Sequence, residues 1–273
     1  MPPVTIVIPV YKAELSEYEK ISFNQALRIL GEHKVTLVCN EKLDVSSYQS
    51  IAEANNCVIE FEYFDSSYFE GIDGYNKLML SLDFYKRFLD SEYILIYQLD
   101  CFVFRDELKE WIEKGYDYVG APWLHNDRRA WWTLKNRIRY TLKALYRRYT
   151  NKSNAISIGF YKVGNGGLSL RKVEKCCEII RRFEKNKRID QYRNSNGNYL
   201  YAEDVFWGCE VNRYFHNIRI PGYKKALNFS FDMNPALCYE LNNCRLPFGC
   251  HAWYRYDLGF WKTFIEKNGY IIG

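Results

Sequence analysis

An apolar run, YILIYQLD, ends in a single carboxylate, Asp100, directly after Gln98 and Leu99. Open α/β sheets bind ligands beyond the carboxyl ends of their strands, and an acid placed there can hold a divalent cation against a diphosphate. The same residue could equally cap a turn before Phe102–Arg105. A second feature, Val163-Gly164-Asn165-Gly166-Gly167-Leu168-Ser169-Leu170-Arg171, has three glycines in four positions. Such a loop either lets backbone approach a ligand closely or simply turns. It matches neither the phosphate loop GxxxxGK[ST] nor a dinucleotide GxGxxG. A third, Ala202-Glu203-Asp204-Val205-Phe206-Trp207, opens an apolar stretch with two acids. That suits the positive end of a helix or a poised general base. The fourth is His251 in PFGCHAW, a loop histidine that could ligate a metal, contact a phosphate or pack in the core. Zinc is not expected, because no other His or Cys pair has suitable spacing.

These residues need elements to hold them. The first two thirds of the chain alternate apolar runs with helical patterns, the sign of an α/β domain. Strands are expected at Val4–Val10, Val35–Cys39, Val58–Tyr63, Tyr93–Leu99 and Tyr116–Val119, with a loop and strand over Val163–Leu170. Helices are expected at Ile21–Leu30, Ser47–Asn55, Asp106–Lys114, Arg171–Glu184 and Glu203–Tyr214. Tyr75, Leu78, Leu82, Tyr85 and Leu89, spaced 3, 4, 3 and 4 apart, read as one helix face. Beyond Gly222 the chain reads as aromatic and irregular until a last helix over Leu258–Lys267.

With 273 residues, 48% of them hydrophobic and 26% charged, the composition is globular and excludes collagen, disorder and a small disulfide scaffold. No apolar run approaches the roughly 18 residues that span a bilayer, and MPPVTIVIPVYK lacks the form of a signal peptide. Nine scattered cysteines, with no CxxC, read as reduced thiols of a cytosolic protein.

The net charge of +5 comes from one place. Residues 128–149 hold eight Lys/Arg and no acid, leaving 30 basic and 33 acidic residues elsewhere, a net of −3. Trp131, Leu134, Ile138, Leu142, Leu145 and Tyr149 share one helix face, with Arg and Lys on the other. A basic amphipathic helix with Trp131 and Trp132 suits an anionic membrane surface, through Arg137, Arg139, Lys143 and Arg147. A helix packed on the domain with a solvated basic face is the plainer reading. Nucleic acid is not expected as a partner, since no recognised fold motif accompanies the charge.

Taken together, GYNKLMLSLDFY, YILIYQLDCFVFRDEL, YDYVGAPW, VGNGGLSLR, EDVFW, FSFDMNP and PFGCHAW resemble a family of GT-A-like glycosyltransferases from bacterial surface-polysaccharide loci, over roughly Val4 to Tyr270. The motifs are also similar to those of inverting galactosyltransferases. The resemblance implies a GT-A (Rossmann-like) α/β fold with a central mixed sheet flanked by helices. It implies one domain over 1–273, with a basic insertion at 128–149 and an irregular C-terminal region at 222–273. It further implies a sugar transferred, with inversion, from a nucleotide donor to a glycan or lipid-linked acceptor, at the cytoplasmic side of a membrane.

Residue by residue, the resemblance assigns Asp204 as the base and Glu203 as an acceptor-orienting or substitute acid. Val10 and Tyr11 would flank the nucleobase, Asn76 and Lys77 would reach the nucleotide, and Asn165, Gly166 and Gly167 would line the donor-sugar pocket. The family's Asp-x-Asp is Gln98-Leu99-Asp100 here, so the first acid is missing. Mn²⁺ or Mg²⁺ would then rest on Asp100 with His251, or basic side chains would replace it. Trp123 and Trp253 are candidate sugar-stacking surfaces. The missing acid also favours a rival reading, a catalytically silent carbohydrate- or nucleotide-binding scaffold of a biosynthetic complex.

Overall fold

The computed structural model describes residues 3–124 and 161–273, together with Lys135, Ile138, Arg139 and Leu142. β1 (Val4–Pro9) is buried along its whole length, as expected for a strand covered on both faces. It pairs in parallel with β2 (Lys34–Cys39) and with β4 (Tyr93–Tyr97), setting Ile6 opposite both Val35 and Leu95. β2 carries β3 (Ile59–Tyr63) in parallel. On the far side β7 (Leu168–Lys172) runs antiparallel to β4, setting Ser169 opposite Ile96, and then pairs with β6 (Tyr118–Val119). The six-stranded order is β3-β2-β1-β4-β7-β6.

Helices cover both faces. α1 (Glu17–Leu30), α2 (Ser46–Ala54) and α5 (Leu108–Glu113) bury Phe23, Leu27, Tyr48 and Trp111 on one. α3 (Gly71–Met79), α4 (Leu82–Lys86) and the helix Val173–Lys185 bury Met79, Phe84, Ile180 and Phe183 on the other. Each fully buried side chain of this size contributes about 1.5–3 kcal/mol.

Some elements depart from the sequence reading for local reasons. α1 begins four residues before Ile21, because Ser16 and Glu19 form a capping box that satisfies two orphan backbone donors. The spacing from Tyr75 to Leu89 does not form one helix. The Ser81 hydroxyl accepts from the amides of Asp83 and Phe84 and starts a new helix, and Leu89 is left exposed. The helix expected over Glu203–Tyr214 is a three-residue turn, Glu203–Val205, followed by a wider π-type turn, Phe206–Glu210, with Val211 N–H bonded to the Phe206 carbonyl at 3.0 Å.

The C-terminal region is more regular than its sequence suggests. β5 (Phe102–Val103), β9 (Gly249–Cys250) and β8 (Ser230–Phe231) form a second sheet in that order. Helices Tyr223–Ala226 and Pro235–Leu241 precede the last one, Leu258–Glu266. Phe102, Phe231, Trp253, Trp261 and Ile265 form its core. Two-residue strands are too short to leave an alternating pattern.

Lys135, Ile138, Arg139 and Leu142 are helical and exposed, Ile138 by 53% and Leu142 by 60%. Trp131, Trp132, Arg137, Lys143 and Arg147 lie outside the described residues. Among the described residues no helix is long and apolar enough to cross a membrane.

Candidate functional site

β1 and β4 are neighbours, and both release their chains at the same edge of the sheet. A cleft of about 380 Å³ opens there. Pro9 ends β1 and Tyr11 follows it; Gln98, Leu99 and Asp100 follow β4; Tyr75 comes from α3, and Tyr254 and Arg255 from the C-terminal region. The walls are largely aromatic, and two buried acids, Glu19 and Asp100, lie in the lining.

Several expected donor contacts fall elsewhere. Tyr11 is 59% exposed and lines the cleft, but Val10 is core, with its N–H bonded to the Val38 carbonyl. Asn76 is buried behind the cleft, where its Oδ1 accepts from the Glu203 amide at 3.0 Å and its Nδ2 reaches Ser195. Lys77 lies on another face of α3, in a separate cleft with Asp83, Glu184 and Arg193. The helical turn accounts for this: Tyr75 and Leu78 share the cleft side, and the two residues between them do not.

Asp100 and His251 do come together. His251 Nε2 stands 3.2 Å from Asp100 Oδ1, and Nδ1 stands 3.1 Å from Asp232 Oδ1. Nε2 is also 3.2 Å from Gln98 Oε1, and Nδ1 is 2.9 Å from Asn165 Nδ2. Burial disfavours the charged imidazole, but Asp100 and Asp232 outweigh it and push its pKa up to about 10. Burial works against the Asp100 carboxylate too; His251, and Arg255 at 3.5 Å, hold its pKa below the usual value.

Asp100 Oδ1 is a buried acceptor that makes no well-aligned hydrogen bond. Paired with a ring nitrogen, it fits two donors to a shared Mn²⁺ or Mg²⁺ ion. Such ions commonly take one or two protein groups and complete their shell with phosphate and water. Among the described residues no group of three His, Cys, Asp or Glu forms a fuller set.

The Gly-rich loop is occupied by this chain's own side chains. A Cβ on Gly166 would land on the Glu203 carboxylate, one on Gly167 on the His251 ring and Gln98, and one on Gly164 on the Trp123 ring. The room above these glycines is therefore filled from within, where a donor-sugar pocket was expected. Asn165 is the hub of the loop, at φ +63°, a conformation Asn tolerates better than most residues. Its Oδ1 accepts from the amides of Gly167 and Leu168, which aims its Nδ2 at His251.

Behind the loop lies a fully buried ion pair, Arg171 Nη2 to Glu203 Oε1 at 3.1 Å. Arg171 also donates to the Ser169 hydroxyl, the Tyr85 hydroxyl and the Gly166 carbonyl. Burial pushes the Glu203 pKa up while Arg171 pulls it down. So anchored, Glu203 is 2% exposed, which leaves it no access to an acceptor. Asp204 is only partly buried. Burial first, then the neighbouring charges of Glu203 and Asp232, push its pKa up to about 7, against a bond from the Val205 amide.

Trp253 cannot stack on a sugar. It is 0% exposed, its Nε1 donates to the Ser22 hydroxyl at 2.9 Å, and it packs on Tyr18, Tyr254 and Phe102. Trp123 is half-buried over Gly164 and keeps a partly open side.

Four residues escaped the sequence reading: Tyr75, Arg171, Asp232 and Arg255. Arg171 and Asp232 stand in the segments VGNGGLSLR and FSFDMNP, whose polar residues were a usable signal. Arg255 has the sequence setting of any surface arginine.

Solved structures with the same architecture are glycosyltransferases. Mouse xyloside xylosyltransferase 1, in its apo form, is 12% identical at a TM-score of 0.54, over 90% of this chain and 96% of that one. The galactosyltransferase LgtC, in complex with donor and acceptor sugar analogues, is 14% identical at 0.54, over 98% and 96%. The apo bifunctional glycosyltransferase WbbM is 12% identical at 0.50, over 97% of this chain and 51% of that one. The fold is therefore GT-A: a central mixed sheet flanked by helices. No curated protein sequence matches the chain. Residues 58–251 match the family described as "Protein of unknown function (DUF5672)", and the chain belongs to that family.

Proposed function

We propose that the protein is a glycosyltransferase, one GT-A-like domain over 1–273. It would move a sugar from a nucleotide donor to a glycan or lipid-linked acceptor, with inversion, in cell-surface polysaccharide biosynthesis. The observation that carries this reading is His251, in contact with cleft-lining Asp100 on one side and with Asp232 on the other. Asp204 lies close enough to feel the Asp232 charge and titrates near 7. A carboxyl with that pKa is suited to act as a base at neutral pH, which supports the reading.

In this reading the nucleobase lies against Tyr11 and Tyr75, and the diphosphate lies toward Asp100 and Arg255. Asp100 and His251 would hold Mn²⁺ or Mg²⁺, which supplies charge neutralisation to the leaving diphosphate. Asp204 takes the proton of the acceptor hydroxyl. The acceptor oxygen forms its bond to the anomeric carbon from the opposite face, and the bond to the diphosphate oxygen breaks, so the nucleoside diphosphate leaves with the electron pair. Glu203 holds the turn in place through Arg171, Trp123 offers a face to the acceptor, and Asn165 keeps His251 in position.

The basic segment 128–149 would hold the enzyme on an anionic membrane surface on the cytoplasmic side, and exposed Ile138 and Leu142 support that reading. Vesicle co-sedimentation at two salt concentrations checks it. Binding to anionic vesicles that falls with salt, and is lost when Arg137, Arg139, Lys143 and Arg147 become Gln, is the expected result.

The test of activity is release of nucleoside diphosphate from a panel of sugar nucleotides, with Mn²⁺ or Mg²⁺ and without. Asp204→Asn should lower the rate about 10²–10⁴-fold while nucleotide affinity stays within a few-fold. The single acid of Gln98-Leu99-Asp100 favours the silent scaffold as second reading. Nucleotide binding with no release from any donor would favour it over the transferase.

A further inference from the structure

A second cavity, of about 430 Å³, lies on the other side of the Gly-rich loop. One wall is Val163, whose carbonyl would meet any Cβ placed on Gly208. Another is the wide turn Phe206–Glu210, through Gly208 and Cys209. The polar lining is Lys162, Asn212, Arg213 and His216, and among the described lining residues there is no carboxylate.

Each polar group can be accounted for. Asn212 is spent within the fold: its Oδ1 accepts from the amides of Asn217 and Ile218, and its Nδ2 donates to the Ile218 carbonyl. Arg213 gives Nη1 to Glu210 Oε2 at 3.3 Å, while its Nη2 is buried without a hydrogen-bond partner. Buried donors are almost always satisfied, so an orphan calls for an explanation. Lys162 and His216 are exposed. A concave site lined by two cations and an imidazole concentrates anions.

The cavity's lining also runs close in sequence to Asp204. Cys209 lines it, lies in the wide turn Phe206–Glu210 and stands five residues after Asp204. The Cys209 thiol responds to both sides: burial pushes its pKa up to about 12, Lys162 opposes this and Asp204 adds to it.

We infer that this cavity is an acceptor subsite for an oxyanion, held by Lys162, Arg213 and His216. The inference rests on the glycosyltransferase reading for the word acceptor and on the cavity alone for the anion. The oxyanion could be the diphosphate of a lipid-linked acceptor or the carboxylate of an acidic sugar. An arginine and a lysine bind both, the former by paired N–H donors.

The test is a titration of the full chain with inorganic pyrophosphate and, separately, with glucuronate. It is followed by the proton resonance of the His216 ring, assigned by its loss in His216→Gln. A saturable shift with pyrophosphate assigns the diphosphate class, and one with glucuronate assigns the acidic-sugar class. Either should weaken tenfold or more in Lys162→Gln and in Arg213→Gln. Lys162 is exposed, so Lys162→Gln keeps the test valid if Arg213→Gln fails to fold. No shift with either anion, or a shift of unchanged affinity in Lys162→Gln, overturns the inference. Binding of nucleoside diphosphate in the cleft at Asp100, measured in the same samples, reports separately on the transferase reading. If that binding is absent while the His216 shift remains, the transferase reading fails and the anion site stands.

Discussion

The cleft at the strand ends and the junction behind the Gly-rich loop hold similar residues put to opposite use. In the cleft, Tyr11, Gln98, Asp100 and Arg255 surround open space, and Asp100 keeps a carboxylate oxygen without a well-aligned hydrogen bond. At the junction, Arg171 pairs with Glu203, Asn165 bonds the loop amides and the glycines leave no room for a ligand, although Glu203 Oε2 also lacks a hydrogen bond. One region is built to receive something, while the other is built to hold Asp204 and His251 still. A carboxylate or a glycine therefore means little by its type. What matters is whether its partners come from this chain.

The largest break in that comparison should come from the closed side. Arg171→Met leaves the Glu203 carboxylate buried without its cation and should cost about 3–5 kcal/mol, read as a lower urea midpoint at constant m-value. Adding Glu203→Leu should recover most of the loss. Failure to recover would mean that Arg171 acts mainly through Tyr85, Ser169 and the Gly166 carbonyl. Gly167→Ala comes next. It drives a methyl group into His251 and Gln98 and should cost about 1–3 kcal/mol, as overpacking does.

Asp204 gives a pH-dependent effect with a clear sign. Its carboxyl is held near pH 7 in the fold, above its ordinary value of 3.8. The unfolded chain therefore loses that proton first as pH rises, and stability falls between the two values and stays lower above 7. Asp204→Asn removes the penalty, so its gain in melting temperature should be larger at pH 8 than at pH 4. Equal gains would show that the carboxyl is not held neutral. At the bottom of the scale, Gly222→Ala meets nothing within 4 Å and should change stability by less than about 0.5 kcal/mol.

Much of the sheet was legible because β1 and β4 are continuous apolar runs, and Asp100 follows β4 directly. The break at Ser81 was not, since the helices on either side keep the 3-4 spacing across it. The glycines showed that space was needed but could not say what fills it. Asn76 and Lys77 stood beside Tyr75 in sequence, yet a helix turns successive residues about 100° apart. Trp253 looked like a platform because an aromatic in a loop and one under a loop read alike. Asp232 and Arg255 come within reach of the site only when the small second sheet closes. That sheet's two-residue strands are too short to announce themselves.

The open cleft is the central claim, and Asp100→Asn tests it most directly. Asn keeps the shape of the buried side chain but removes the charge that faces His251, so the thermal midpoint should fall while the protein stays folded. Calorimetric titration with nucleoside diphosphates and Mn²⁺ should show affinity reduced tenfold or more, and release of diphosphate from the preferred donor should nearly vanish. A folded Asp100→Asn protein with unchanged affinity and unchanged turnover would contradict the account.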